Sequence, residues 1–233
     1  MKKKIVFLTG AGISAESGIK TFRDAGGTWE GHSVTEVASP EGWKKNKALV
    51  LKFYNDRRKQ LDEVVPNAAH YTIADLEKDY DVIVITQNVD DLHERAGSTN
   101  VIHLHGELKK ACSSNNKALT VPYDKAIEIG DKHADGSQLR PFIVWFGENV
   151  PLMDDAMTEV MKADMFVVVG TSLQVYPAAG LSRYAKSWCE LFYIDPSPLE
   201  DNVLSYFKVI RKVATEGMKD FVTLLNNKNE SES

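Results

Sequence analysis

The sequence predicts an α/β fold: a mostly parallel sheet with helices on both faces, plus a small second lobe made of insertions. Three observations lead there. Short apolar runs of the kind that form fully buried strands recur along the chain, starting with Ile5-Val6-Phe7-Leu8. Helical patterns separate the runs, and strands that alternate with helices form parallel sheets. Two segments break the alternation: residues 24–65, helical and charged with no strand pattern, and residues 108–140, polar and irregular.

The first strand runs directly into Gly10-Ala11-Gly12-Ile13-Ser14-Ala15-Glu16-Ser17-Gly18. A Gly-x-Gly-x-x-Ala turn in this place is Rossmann-like. Gly10 permits the tight turn, Gly12 lets the backbone approach a pyrophosphate, and small Ala15 lets the helix pack close to the sheet. The helix N-terminus then offers N–H groups to the anion. An ordinary dinucleotide fold returns to a second strand ending in an acidic residue ~20 positions on. This chain instead enters Thr21-Phe22-Arg23-Asp24-Ala25-Gly26-Gly27, which reads as a functional loop. A helix over Asn67–Lys78 follows Pro66, with Asn67 as its cap. Then come a strand at Val82–Ile85, a helix starting near Asp91, and a shorter strand at Val101–Leu104. The later elements are a helix at Asp154–Lys162, a strand at Met165–Val169, a helix at Ala178–Lys186, a strand at Leu191–Ile194, an edge strand at Phe207–Ile210 and a helix at Glu216–Leu225. The polar tail, residues 226–233, is expected to be frayed.

Composition narrows the function. The 233 residues are 43% hydrophobic and 26% charged, ordinary for a globular chain with a full-sized core. A net charge of −5 gives no footprint for nucleic acid, apart from a local basic group at Arg57, Arg58 and Lys59. The only cysteines are Cys112 and Cys189, with no Cys-x-x-Cys pair, so a disulfide framework is not expected and a four-cysteine zinc site is excluded. No run approaches the ~18 apolar residues of a membrane span. Behind Met1-Lys2-Lys3-Lys4 the apolar run is too short for a signal peptide. A cytoplasmic protein without nucleic-acid or membrane partners is expected; the oligomeric state stays open, a monomer included.

Ligands in such sheets bind beyond the carboxyl ends of the strands, and three further motifs follow strand ends. They are Thr86-Gln87-Asn88-Val89-Asp90-Asp91-Leu92-His93, His103-Leu104-His105-Gly106-Glu107 and Gly170-Thr171-Ser172-Leu173-Gln174-Val175-Tyr176-Pro177. Between the last two stands Pro141-Phe142-Ile143-Val144-Trp145-Phe146-Gly147-Glu148. Each has a plainer reading. Gln87, Asn88 and Asp90 could cap the next helix. One of His103 and His105, alternating on a short strand, could be structural. Gly170-Thr171-Ser172 could be an empty anion-binding turn, and Trp145 and Phe146 ordinary core. Together with Gly10–Arg23, however, the set resembles the sirtuins, the NAD-dependent protein lysine deacylases, over nearly the whole chain. The resemblance implies one catalytic domain. Its Rossmann-like lobe would occupy about 1–24, 66–107 and 141–225, and its small lobe about 25–65 and 108–140.

The resemblance also implies roles. NAD is consumed as co-substrate, acyl-lysine side chains of proteins are the partners, and the products are lysine, nicotinamide and 2′-O-acyl-ADP-ribose. The cofactor-binding set comprises Gly10, Ala11, Gly12, Ile13, Ser14, Ala15, Glu16, Ser17 and Gly18, then Thr21, Phe22, Arg23 and Trp29, then Gln87, Asn88, Val89, Asp90 and His105, and finally Gly170, Thr171, Ser172, Asp195, Pro196 and Ser197. His105 and Asn88 are the catalytic pair. His105 is the base for the ribose 2′-hydroxyl, suited by an unperturbed pKa of ~6.5. Asn88 and Ser14 order ribose and water, while Asp90 and the Ile13 backbone hold the nicotinamide carboxamide. Phe22 is an aromatic lid, and Arg23 lies near the phosphates. Asp195 stands where the family usually has Asn and can still accept from a ribose hydroxyl. Substrate backbone and acyl-lysine would meet Val144, Trp145, Phe146 and Gly147, with Val175 and Tyr176 also on the substrate side. Most sirtuins carry two Cys-x-x-Cys pairs for zinc in the small lobe. Here the stretch Lys109–Arg140 holds only Cys112, and Asp124, Asp131, His133 and Asp135 lack ligand spacing. No zinc is expected, and the lobe must be held by packing through Leu119, Val121, Tyr123 and Ile127.

Acyl specificity has its own signal. Tyr54 and Arg57, three apart on a predicted helix, share a face and can clamp a carboxylate. The plainer reading is a solvated basic face. The Tyr-x-x-Arg spacing resembles the sirtuin class that removes succinyl and malonyl groups, whose bacterial members also deacetylate. Two alternatives use the same fold: a non-catalytic NAD or ADP-ribose sensor, and a mono-ADP-ribosyltransferase. A hydride-transferring dehydrogenase fits least, since the acidic residue after a second strand is missing.

Overall fold

The computed structural model describes residues 2–20, 28–29, 31–197 and 205–232. Thr21, Phe22 and Arg23 lie outside the described residues, and of Trp29 only the backbone is described. Six strands form one parallel sheet: β1 (Lys4–Thr9), β4 (Asp81–Thr86), β5 (Val101–His103), β9 (Met165–Val169), β10 (Glu190–Ile194) and β11 (Lys208–Ile210), in the order β11-β10-β9-β1-β4-β5. The expected edge strand is at an edge, and the glycine-turn strand is central. Alternation along β1 explains the continuous apolar run. Ile5 and Phe7 pack against α5 (Ala68–Leu76) and α8 (Ala214–Glu232), meeting Ile73, Met218 and Phe221. Val6 and Leu8 face the other way, onto Val160 of α7 (Met153–Met161) and Leu181 of a 3-10 helix at Ala178–Tyr184. Burying each such side chain contributes roughly 1.5–3 kcal/mol, so a strand covered on both faces needs no polar positions.

Two elements differ from expectation. Ala178–Tyr184 is a 3-10 rather than an α-helix; the segment is short, contains Gly180, and turns extended at Ala185. The tail expected to fray instead continues α8 to Glu232. No Gly or Pro follows Gly217 to end it, and Leu, Lys and Glu are good helix formers.

The second lobe holds more strand than its sequence suggests. β2 (Thr28–Trp29) and β3 (His32–Ser33) make a small antiparallel pair, too short for any periodicity. Three helices follow: α2 (Val34–Val37), α3 (Pro40–Lys45), capped by Ser39 on the Gly42 N–H, and α4 (Lys47–Gln60), capped by Asn46 on the Leu49 N–H. The stretch read as irregular contains a three-stranded antiparallel sheet, β7-β6-β8, made of β6 (Gly106–Ser113), β7 (Thr120–Pro122) and β8 (Leu139–Ile143). Its polar positions mask the pattern: half-buried Lys109 and Lys110 stand between buried Leu108 and Ala111, and Ser113 and Arg140 are buried too. Leu108, Ala111, Leu139 and Ile143 meet Val50, Phe53 and Tyr54 of α4 in a core separate from those of the large sheet. Of the four residues expected to hold this lobe, Ile127 is fully buried and Val121 and Tyr123 are partly so, but Leu119 is exposed. No basic patch forms at Arg57–Lys59. Arg58 is buried, donating to the Leu108 carbonyl at 2.8 Å and to Asn55 Oδ1 at 2.8 Å.

A hydrogen-bonded lock closes the outer end of the small sheet. The buried Ser113 hydroxyl donates to Asp135 Oδ2 at 2.6 Å and accepts from the Asn115 and Asn116 N–H groups at 3.1 and 3.0 Å. Asp135 Oδ1 in turn accepts from the Ser137 N–H at 3.0 Å and the Ser137 hydroxyl at 2.7 Å.

Candidate functional site

A cavity of about 830 Å³ opens beyond the carboxyl ends of β1, β4, β9 and β10, against the second lobe. Each wall is a strand-end motif. After β1 come Gly10, Ala11, Gly12, Ser14, Ala15 and Glu16; after β4, Gln87, Asn88, Val89 and Asp90; after β5, His105. Gly170, Thr171, Ser172, Val175 and Tyr176 follow β9, and Asp195, Pro196 and Ser197 follow β10. Tyr54, Arg57, Val144, Trp145, Phe146 and Gly147 complete the second-lobe side. Among the expected residues that are fully described, three are not on the wall. Ile13 is buried in the core of the large sheet; its N–H donates to Gly10 O at 3.1 Å and its carbonyl accepts from Asn67 Nδ2 at 2.7 Å. Ser17 Oγ also accepts from Asn67 Nδ2, at 3.0 Å. Gly18 leaves the turn with φ +96°.

The glycine turn is shaped by its neighbour as much as by any ligand. The Gly10 N–H donates to Val169 O at 3.1 Å and the Gly12 N–H to Gly170 O at 2.8 Å, so the β1 and β9 loops clasp. A Cβ on Gly12 would lie 2.6 Å from Gly170 Cα, and one on Gly10 2.6 Å from Thr171 Cβ. Gly10 has ordinary extended backbone, so it serves this close approach rather than a special turn. Two expectations change as a result. The N–H groups of Gly12 and Ile13, at the start of α1 (Ala11–Ala15), already have carbonyl partners. The residue packed on the sheet is Ile13, while Ala15 is exposed.

The polar centre lies between the β1 and β4 loops. Asn88 Nδ2 donates to Gly10 O at 3.2 Å and to Ser14 Oγ at 3.1 Å, and Ser14 Oγ donates to Asp90 Oδ2 at 3.0 Å. Asp90 Oδ1 accepts the Leu92 N–H at 3.2 Å, so the capping reading holds for this oxygen while the other faces Ser14. Burial pushes the Asp90 carboxyl up to about 6, against the pull of Leu92 and Ser14. Gln87 Nε2 donates to Thr171 Oγ1 at 3.1 Å. His105 Nδ1 sits 3.1 Å from Gln87 O, an acceptor only, so that nitrogen carries hydrogen and Nε2 is the basic one. Burial holds the imidazole below the ordinary histidine value despite that bond. His103 goes elsewhere: it is buried and bonded to Glu94 Oε1 at 2.6 Å.

Beneath this centre lie two histidines with no role assigned from sequence, His70 outside the motifs and His93 at the end of one. His70 Nδ1 accepts the Asn67 N–H at 3.3 Å, with Nε2 3.5 Å from Ser14 Oγ. His93 Nε2 is 3.0 Å from Thr9 Oγ1. Burial drives His70 down to about 4 and His93 well below the usual range, so both are neutral. Val34, Ala38, Leu61 and Leu108 also line the cavity. As apolar residues they carry no sequence signal that distinguishes wall from core.

On the second-lobe side, Tyr54 and Arg57 do share a face toward the cavity. Tyr54 is fully buried, and its hydroxyl accepts the Trp145 Nε1–H at 3.1 Å. The Arg57 guanidinium lies over the Phe53 ring, 4.9 Å from its centroid. Trp145 is mostly core: it is 2% exposed and the Arg140 guanidinium stacks 3.3 Å from its ring centroid, whereas Phe146 is exposed. Residues 144–147 lie past the end of β8 rather than within a strand.

Two candidate metal ligands of the small lobe are engaged within it. Cys112 is buried with Sγ 3.8 Å from Pro141 O, and burial pushes its thiol up to about 11. Asp135 is engaged in the Ser113 lock. Among the described residues, one His and carboxylate group could share an ion: Glu94, His103 and Glu107. Glu94 and His103 bond each other directly, and Glu107 pairs with Lys110.

A Sir2-family profile matches residues 10–177. The chain belongs to the Sir2 family. The Sir2-family chain is 54% identical over 230 residues to the NAD-dependent protein deacylase of Bacteroides thetaiotaomicron, covering 96% of this chain and 98% of that one. It superposes on the crystal structure of a Sir2 homologue–NAD complex with a TM-score of 0.85 and 39% identity, covering 97% of this chain and 91% of the other. A Sir2 protein bound to a myristoylated histone peptide aligns with a TM-score of 0.73 at 33% identity, covering 100% and 94%. Among the described residues of the Sir2-family chain, no helix is long and apolar enough to cross a membrane.

Proposed function

We propose that this Sir2-family chain is an NAD-dependent protein lysine deacylase, with His105 and Asn88 as its catalytic pair. One observation carries the reading: a half-buried histidine with one ring nitrogen fixed by a backbone carbonyl lines the same cavity as Asn88, Ser14 and Asp90, which leaves its other nitrogen to act as the base. NAD bound here supplies an electrophilic ribose carbon to the acyl-lysine amide oxygen as nicotinamide departs. The protein's part is orientation and proton transfer. Asn88 and Asp90, held through Ser14, offer donors and acceptors to ribose and carboxamide. Asp195 offers a carboxylate oxygen on the opposite wall, its Oδ1 already accepting the Ser197 N–H at 2.8 Å. His105 Nε2 takes the 2′-hydroxyl proton, and its low basicity keeps it neutral and able to do so. The division into a Rossmann-like lobe and a small lobe belongs to the same proposal, as does a small lobe without zinc.

Tyr54 and Arg57 suit acidic acyl chains beside acetyl, since Arg57 offers a fork of donors to a distal carboxylate. The decisive assay is nicotinamide release from NAD with an acyl-lysine peptide, using His105→Ala. The expected loss is ~10²–10⁴-fold with NAD binding largely kept. Because burial depresses His105, the acid limb of kcat/KM should fall below the ~6.5 of a free histidine. Turnover near wild type in the alanine variant removes His105 from this role.

A further inference from the structure

The loop that carries Asn88 is gripped by its backbone. Three consecutive carbonyls each meet a donor from the following segment: Gln87 O meets His105 Nδ1 at 3.1 Å, Asn88 O meets His103 Nδ1 at 3.2 Å, and Val89 O meets the Leu108 N–H at 2.8 Å. The middle grip differs in kind. His103 has acceptors at both ring nitrogens, a peptide carbonyl at Nδ1 and the Glu94 carboxylate at Nε2, 2.6 Å away. A neutral imidazole has one donor and cannot serve both.

We infer that His103 is a positioning residue, an imidazolium that clips the Asn88 carbonyl to Glu94 of α6 (Leu92–Ala96) and so sets the reach of the Asn88 and Asp90 side chains into the cavity. The inference rests on the deacylase reading for its effect on turnover. The charged groups around the ring favour the doubly protonated form. Glu94 bonds it from α6 and Glu107 faces it from β6, with Lys110 paired to Glu107; Asp90 in the gripped loop adds a carboxylate and buried His93 adds no charge. Burial alone would lower the basicity of His103, and the bond to Glu94 reverses this and leaves it raised. Removal of the ring proton leaves a lone pair facing either the carbonyl or the carboxylate, so one of the two ties must open.

Two near-isosteric substitutions separate the ties. Asparagine places its amide near the Nδ1 position and keeps a donor for Asn88 O; glutamine reaches the Nε2 position and keeps only Glu94. His103→Asn should retain kcat/KM for NAD within about threefold, whereas His103→Gln should lose roughly tenfold, the loss expected for one charge-assisted hydrogen bond. Equal losses, or a milder glutamine variant, overturn the inference and make His103 a structural partner of Glu94. The intact protein gives an independent readout: its imidazole nitrogen spectrum at neutral pH should contain two N–H signals for His103, and one signal overturns the claim even where a variant fails to fold. Calorimetric NAD affinity of the two variants should show the same order. If the wild-type protein binds NAD but releases no nicotinamide with any acyl-peptide, the deacylase reading fails on its own, and the affinity order and the spectrum still decide the role of His103.

Discussion

At the scale of single residues, the structure separates side chains that look alike in sequence. His103 and His105 stand two apart at the end of β5, yet one is tied to a carboxylate and the other lines the cavity with its Nδ1 on a backbone carbonyl. Tyr54 and Arg57 both line the cavity, but Tyr54 is fully buried and its hydroxyl already accepts the Trp145 indole N–H. Arg57→Met should selectively weaken removal of succinyl and malonyl groups, because only those chains present a carboxylate. A charged hydrogen bond contributes ~1.5–3 kcal/mol, so kcat/KM for a succinyl-lysine peptide should fall about tenfold or more, with a much smaller change for the acetylated peptide of the same sequence. Equal losses would mean that Arg57 supports the fold or general peptide binding. Tyr54→Phe is a less clean probe, since it also strands the buried Trp145 indole N–H and costs about 1–3 kcal/mol of stability.

At the scale of elements, the three-stranded sheet of the small lobe is closed by Ser113, Asp135 and Ser137. Ser113→Ala removes the donor to Asp135 and the acceptor of two backbone N–H groups in a fully buried position. A loss of about 1–3 kcal/mol is expected, seen as a melting temperature lower by several degrees and as faster proteolysis near residues 131–138. The same lock predicts that the protein purifies without zinc and that chelators leave its melting unchanged; stoichiometric zinc lost together with stability would contradict it. Asp135 is held well below the usual carboxylate range by Ser113 and Ser137. A depressed carboxylate adds stability above its unfolded value and loses it as pH falls toward its folded one, so the lock should weaken only under strongly acidic conditions. The sequence could not reveal this device, because serine and aspartate in a polar stretch read equally well as solvated loop.

At the scale of the whole molecule, the site exists because the ends of β1 and β9 touch. Gly12→Ala would place a methyl 2.6 Å from Gly170 Cα and 2.8 Å from Gly170 O, with backbone on both sides unable to yield cheaply. The two loops should part, lowering the melting temperature and weakening NAD affinity together; an alanine variant with unchanged affinity would show that the clasp is dispensable. The sequence by itself determined the parallel sheet, its two covered faces and the set of motifs at its strand ends. Those are local signals: continuous apolar runs, a cap at Asn67, glycines after a strand. Tertiary structure alone decided which motif residues share the cavity, which N–H groups are already paired, and how the second lobe is held. The reason is that each depends on contacts between segments far apart in the chain, such as Gly12 with Gly170, Ser14 with Asp90, Tyr54 with Trp145 and Ser113 with Asp135. No local periodicity records such pairings, and a side chain that caps, binds or packs has the same letter until its partner is in place.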